Sequence, residues 1–92
     1  MKDATKLFPI GTVVLLNGAE KKVMITGFYS ISPEDKSRIF DYVGCLYPEG
    51  LMSSEQNVLF DHSQIAKLFY KGYESEEEKA FKLKVNELIN KQ

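Results

Sequence analysis

Two side chains in this sequence are of the kind that carries nucleophilic or acid–base chemistry near neutral pH, Cys45 and His62, and there is one of each. A thiol activated by a neighbouring imidazole is a working nucleophile, so a Cys–His pair would imply a thiol hydrolase. The surroundings favour plainer roles. Cys45 stands in a stretch with strand spacing, where a lone thiol serves as a small core hydrophobe, and His62 stands in a capping turn, where a surface role is natural. Asp61-His62 supplies two metal ligands where three or four are needed, and the chain has no second His. No glycine cluster of the phosphate-binding types occurs. The acidic run Glu74-Ser75-Glu76-Glu77-Glu78 reads as the solvated start of a helix. The expectation is a protein that is not an enzyme and that uses no metal and no cofactor.

The charge balance narrows the partners. Twelve basic and thirteen acidic residues give a formal net charge of −1, so no chain-wide positive field gathers phosphate or anionic lipid. Lys67 and Phe69-Tyr70-Lys71 echo the aromatic and basic pattern of small barrels that bind nucleic acid, but Asp41, Glu49 and Asp61 flank the other aromatics and would repel a phosphate backbone. Nucleic acid and membrane are therefore not expected as partners. A single Cys excludes an internal disulfide and fits a reducing compartment. The apolar run Thr12 to Leu16 is too short for a signal-peptide core or a membrane span, so the expected location is the cytoplasm.

These residues must be positioned by one small domain. A chain of 92 residues, with 43% hydrophobic and 27% charged residues, has ordinary globular composition and room for one core. Thr12 to Leu16 reads as a first strand, Asn17-Gly18 as a turn, and Lys22 to Tyr29 as the returning strand, with Gly27 marking a bulge. Ser32 to Arg38 is a polar loop, Ile39 to Tyr47 a third strand with Gly44 as a further bend, and Pro48 to Gln56 another loop. Asn57 to Phe60 is a fourth strand. Asp61 and Gln64 have capping-box spacing for a short turn, after which Ala66 to Lys71 forms a fifth strand. Ser75 and Glu78 cap a helix on which Phe81, Val85 and Leu88 fall along one face, expected to dock on the sheet, with Glu78 and Lys82 paired across one turn. The fold class is thus α+β: a small, strongly bent antiparallel sheet or SH3-like partial barrel of about five strands with a C-terminal amphipathic helix. Residues 1–8 are expected as a flexible tail, 12–71 as the sheet and 75–90 as the helix, all in one domain spanning 1–92.

What remains is recognition of another protein. The third strand runs into Tyr47-Pro48-Glu49-Gly50 and then places Leu51 and Met52 in a polar loop, a combination of rigid aromatic area and adaptable Met that suits an interface centre. Asp41, Tyr42, Tyr47, Pro48, Glu49, Leu51 and Met52 are the expected protein-binding residues. The competing reading is that Tyr47 and Leu51 close the end of the barrel. An open strand edge and the helix offer two other docking modes.

Several segments together carry a resemblance. Leu7-Phe8-Pro9-Ile10-Gly11-Thr12-Val13-Val14-Leu15-Leu16, Asp41-Tyr42-Val43-Gly44 leading to Tyr47-Pro48-Glu49-Gly50, Leu59-Phe60-Asp61-His62 with Ile65, and Phe69-Tyr70-Lys71-Gly72-Tyr73-Glu74 resemble, in that order, the domain-of-unknown-function family numbered 4176 of Gram-positive Firmicutes. The resemblance implies a small cytoplasmic protein encoded beside LXG polymorphic toxins of the type VII (Esx/WXG-type) secretion system. It further implies an export chaperone or adaptor that holds the toxin's targeting region, without catalytic residues of its own. Two alternatives stand beside it: an immunity protein that neutralises a toxin's catalytic domain, and a small-barrel nucleic-acid binder.

Overall fold

The computed structural model describes residues 3–34, 36–53 and 57–90, so the polar loops expected at 32–38 and 48–56 and the tail expected at 1–8 each include positions outside the described residues. A 3-10 turn, Ala4–Lys6, leads into β1 (Val13–Leu16), β2 (Val23–Ile31), β3 (Ile39–Leu46) and β4 (Val58–Phe60). A second 3-10 turn, His62–Gln64, is followed by β5 (Ile65–Tyr70) and α1 (Glu76–Ile89). The strands form one open antiparallel sheet in the order β4-β3-β2-β1-β5, which with α1 gives the α+β class that the periodicities predict.

The register shows where the sheet bends. Pairing of β2 with β3 slips between Ile25 and Gly27, so Gly27 marks a bulge as its position in the strand predicts. Two further slips fall between β1 and β5. Gly44 stands on the other strand of the same slip, since it pairs with Ile25 just before the register shifts to Gly27 opposite Val43, as the bend expected of it requires. It has a second role: a Cβ built there would lie 2.6 Å from the Met24 carbonyl oxygen and 2.7 Å from Val23 Cγ1. The glycine is what allows β2 and β3 to approach so closely.

Successive rows of the sheet face opposite sides. Leu68, Val14, Val23 and Leu46 are cross-strand neighbours in one row, and Val14 and Val23 point into the main core with Ile25, Tyr42 and Phe60. Tyr70, Val13, Met24 and Cys45 make the adjacent row on the other side.

Two expectations are overturned here. The described part of the supposed tail belongs to the core: Ala4 and Leu7 join the main hydrophobic cluster, and Pro9 is fully buried. Asp3 caps the first turn by accepting the Thr5 N–H at 3.0 Å, and the Phe8 N–H donates to the Tyr42 hydroxyl oxygen at 2.9 Å. A single 3-10 turn is too short to leave a periodic signal, which is why apolar residues at 4, 7 and 8 read as a tail.

The helix is turned relative to expectation. Its cap forms as predicted, with Ser75 Oγ accepting the Glu78 N–H at 3.1 Å. Yet Phe81 and Leu88, expected to face the sheet, are 52% and 61% exposed, while Lys82 is only 2% exposed. The inward side carries Glu78, Lys82, Val85, Asn86 and Ile89, and it rests chiefly on the turn Ala4–Lys6, with the sheet beyond. Polar anchors decide the rotation. Lys82 Nζ donates to the Leu7 carbonyl oxygen at 2.6 Å, lies 2.7 Å from Glu78 Oε2, and sits 5.5 Å from the Phe28 ring centroid. Asn86 Oδ1 accepts the Ala4 N–H at 2.6 Å, and its Nδ2 donates to Asp3 Oδ1 at 3.0 Å. The Glu78–Lys82 pair forms across one turn as predicted, and it lies in a buried junction.

Candidate functional site

β3 presents its side chains alternately to the two faces of the sheet, and this separates the two reactive residues. Cys45, paired with Met24, is buried on the side away from the main core. Tyr42 lies on the core side, and His62 lies with it, its Nδ1 2.7 Å from the Tyr42 hydroxyl. The sheet therefore stands between Cys45 and His62. The imidazole is instead packed against the rings of Phe8 and Tyr42, at centroid distances of 5.1 and 5.9 Å.

The polar residues around Tyr42 form a clasp joining β3 to the turn before β5. The His62 N–H donates to Asp41 Oδ2 at 3.0 Å, and the Asp41 N–H donates to Asp61 Oδ1 at 3.1 Å. Asp61 Oδ2 also accepts from the Arg38 guanidinium, while the Asp61 N–H reaches Gln64 Oε1 at 2.8 Å, the glutamine half of the predicted capping box. Burial pushes the Tyr42 phenol up to about 12, against the opposing effect of the Phe8 N–H on its oxygen; nearby Asp41 raises it further. Tyr29 is likewise pushed up to about 12, by burial first and then by Asp41 and Asp3. Its backbone has φ of 49°, a left-handed conformation rare for a non-glycine residue and here placed within β2.

The seven expected binding residues divide between core and surface. Tyr42 is corrected: it is fully buried, stacked on Phe60 at 5.1 Å, and offers no surface to a partner. Its aromatic character reflects the core, and strand alternation alone did not say which face would be covered. Asp41 is half-buried with its carboxylate committed to the His62 N–H. Tyr47, Pro48, Glu49, Leu51 and Met52 are all exposed. The turn that carries the first of them is anchored by the Tyr47 N–H on the Lys22 carbonyl, 2.9 Å, and the Gly50 N–H on the Leu46 carbonyl, 2.8 Å. The Tyr47–Pro48 peptide is cis. Glu49 is hydrogen-bonded to Lys21 at 2.7 Å, and that bond holds its carboxyl below the usual range.

Two exposed apolar surfaces lie on the helix and on a strand edge, the two other docking modes that the sequence offers, at residues the sequence does not single out for binding. One follows α1, where Phe81 and Leu88 lie two turns apart on the outer side, and Phe81 continues into a groove of about 440 Å³ lined by Ile10, Tyr73, Ser75, Glu77 and Glu78. The other is β5, with Leu68, Phe69 and Tyr70 exposed in succession along a sheet edge. The i, i+7 spacing of Phe81 and Leu88 was the visible signal for the first, and it was assigned to the wrong side of the helix.

Among the described residues, no group of three or more His, Cys, Asp or Glu side chains is placed to hold a metal ion. No described helix is long and apolar enough to cross a membrane. Neither the curated proteins nor the solved structures contain a match to this chain. A family model described as a domain of unknown function, DUF4176, matches residues 7–81, which include the whole sheet, the turn His62–Gln64 and the start of α1 as far as Phe81. On that match, the chain belongs to the DUF4176 family.

Proposed function

We propose that this protein is a non-enzymatic adaptor that binds another polypeptide, and that its partner is the helical targeting region of an LXG toxin exported by type VII secretion. The observation that carries the binding role is the polarity of α1, which turns Lys82, Glu78 and Asn86 inward together with Val85 and Ile89 while Phe81 and Leu88 are left exposed. Exposed singly, such residues are ordinary; seven residues apart along one side of the helix, these two suit a helix–helix contact. Phe81 and Leu88 are separated by about 10.5 Å along the helix axis, matching the repeat of an amphipathic partner helix laid alongside. Glu77 and Lys84 flank the stripe one turn either side of Phe81 and supply charges of both signs for orientation. The choice of an LXG toxin rests on the resemblance of the Leu7 to Glu74 segments to toxin-associated proteins.

The test is co-purification with the targeting region of the neighbouring toxin. Binding is expected for the native chain, is lost in the Phe81→Ala/Leu88→Ala double variant and survives in Tyr47→Ala/Leu51→Ala, with thermal melts of both variants close to the native one. Loss only in the Tyr47/Leu51 variant moves the contact to the loop after β3. Capture of the toxin's C-terminal catalytic domain in place of the targeting region replaces the adaptor with an immunity protein.

A further inference from the structure

β5 occupies an edge of the sheet, hydrogen-bonded to β1 on one side only, and five of its six residues are exposed. Leu68, Phe69 and Tyr70 are bulky and adjacent, with Tyr70 64% exposed. Folded proteins usually blunt such an edge, because its free N–H and C=O groups template further strand pairing. Here two lysines converge on it. Lys22 Nζ lies 4.8 Å and Lys67 Nζ 4.9 Å from the centroid of the Phe69 ring. Among the described residues neither ammonium has a carboxylate within ion-pair reach, whereas Lys21, Lys71 and Lys82 each have one. Two like charges gathered on one ring without a counter-ion favour a ligand that brings negative charge.

We propose that β5 and the Lys22–Phe69–Lys67 cluster form a docking site for a short acidic segment of a partner polypeptide, added as a strand along the outer edge of β5. Main-chain bonds to the free edge hold the segment, carboxylates on its alternate residues meet the two ammonium groups, and the apolar residues between them, facing the other side of the sheet, cover Leu68. A second copy of this chain fits the edge poorly. Pairing β5 with its own two-fold mate brings the uncompensated lysines of both copies together, and the register slips along β5 bend the strand away from a long straight ladder. A single nucleic-acid strand is a weaker fit too, since both ammonium groups stand over the Phe69 ring that a base would stack on. This surface is distinct from the outer side of α1 and goes beyond the adaptor reading: it stands or falls without it.

The probe is a fluorescein-labelled peptide, Glu-Val-Glu-Val-Glu-Val, as long as β5, with Lys-Val-Lys-Val-Lys-Val and a deoxythymidine oligomer as comparators, read by fluorescence anisotropy and by amide chemical shifts of the full chain. Saturable binding of the acidic peptide is expected, with shifts centred on Ile65 to Tyr70 and weakening as salt is added, since screening sets in over about 10 Å at 0.1 M. Lys22→Glu/Lys67→Glu should reduce affinity about tenfold or more. Lys67 is exposed and Lys22 half-buried, and an unchanged thermal melt confirms that the variant folds. Phe81→Ala/Leu88→Ala should leave this binding intact, which separates its outcome from that of the adaptor test. The proposal is overturned by no saturable binding up to about 1 mM peptide, by equal binding of the two peptides, by preferential binding of the oligonucleotide, or by self-association through β5 in light scattering.

Discussion

Replacing Lys82 by Met keeps the aliphatic stem and deletes the charge at the junction of α1, the amino-terminal segment and the sheet. Three partners lose their ammonium: the Leu7 carbonyl at 2.6 Å, Glu78 Oε2 at 2.7 Å and the Phe28 ring at 5.5 Å. A buried carbonyl left without a donor costs about 1–3 kcal/mol, and removing one member of a buried ion pair costs about 3–5 kcal/mol because the other charge stays behind unpaired. These costs overlap, so about 3–5 kcal/mol is the expected total. For 92 residues the whole stability is of order 5–14 kcal/mol, so Lys82→Met should remove a large share of it. The second arm is Glu78→Gln/Lys82→Met, which removes the stranded carboxylate charge. Neither Glu78 oxygen makes a well-formed hydrogen bond among the described residues, so neutralising it loses little and should recover about 1 kcal/mol or more of the single-variant loss. Urea unfolding followed by far-UV circular dichroism measures both, the chain having no Trp to report by fluorescence. A single-variant loss below about 1 kcal/mol, or a double variant no better than the single one, refutes the claim that this pair fixes the rotation of the helix.

Two other outcomes follow from the core. Gly44→Ala places a methyl group 2.6 Å from the Met24 carbonyl oxygen, a backbone atom that moves only if β2 moves, so a loss of at least about 1–3 kcal/mol is expected in the same urea assay; a neutral result would show that the strands separate easily. Raising the pH acts on Tyr42, whose phenol is pushed from 10.0 to about 12 in the folded chain. The unfolded chain gives up that proton first, so the stabilisation is complete below pH 10 and is lost as pH rises toward 12, up to about 2.7 kcal/mol for a shift of about two units. Urea midpoints measured from pH 9 to 12 should fall accordingly, less steeply in Tyr42→Phe.

How much of this was legible in the sequence depended on the kind of signal each element leaves. The strands were readable because β-branched and aliphatic runs bounded by Asn17-Gly18, Pro48 and Gly72 leave few alternatives, and Gly27 announced its bulge by interrupting one of them. Strand alternation separates the faces of β3 but does not say which will be covered, so Tyr42 read as an interface residue when it is the buried centre of the polar clasp. The turn Ala4–Lys6 was illegible for another reason. Its place in the core depends on Lys82 and Asn86, more than 70 residues away along the chain, and on hydrogen bonds no local pattern encodes.

The helix gives the sharpest instance, and it bears on function. Hydrophobic periodicity orients a helix when burial of apolar area, at about 25 cal/mol per Å², outweighs what the polar side chains gain from their partners. On α1 the apolar residues are spread around the circumference, with Val85 and Ile89 inward and Phe81, Leu83 and Leu88 outward. The competition between faces is then decided by polar groups that find partners on only one side: the Lys82 ammonium on the Leu7 carbonyl, and the Asn86 amide between Ala4 and Asp3. An ammonium that could extend into water at no cost is instead buried to hold the amino-terminal segment, leaving the larger apolar side chains in solvent. In the free chain the polar anchors hold that arrangement. On the proposed adaptor reading, a partner that covers Phe81 and Leu88 returns the apolar burial that the free chain forgoes and, by binding only the folded state, stabilises it by about 2.7 kcal/mol at a free concentration 100 times its dissociation constant.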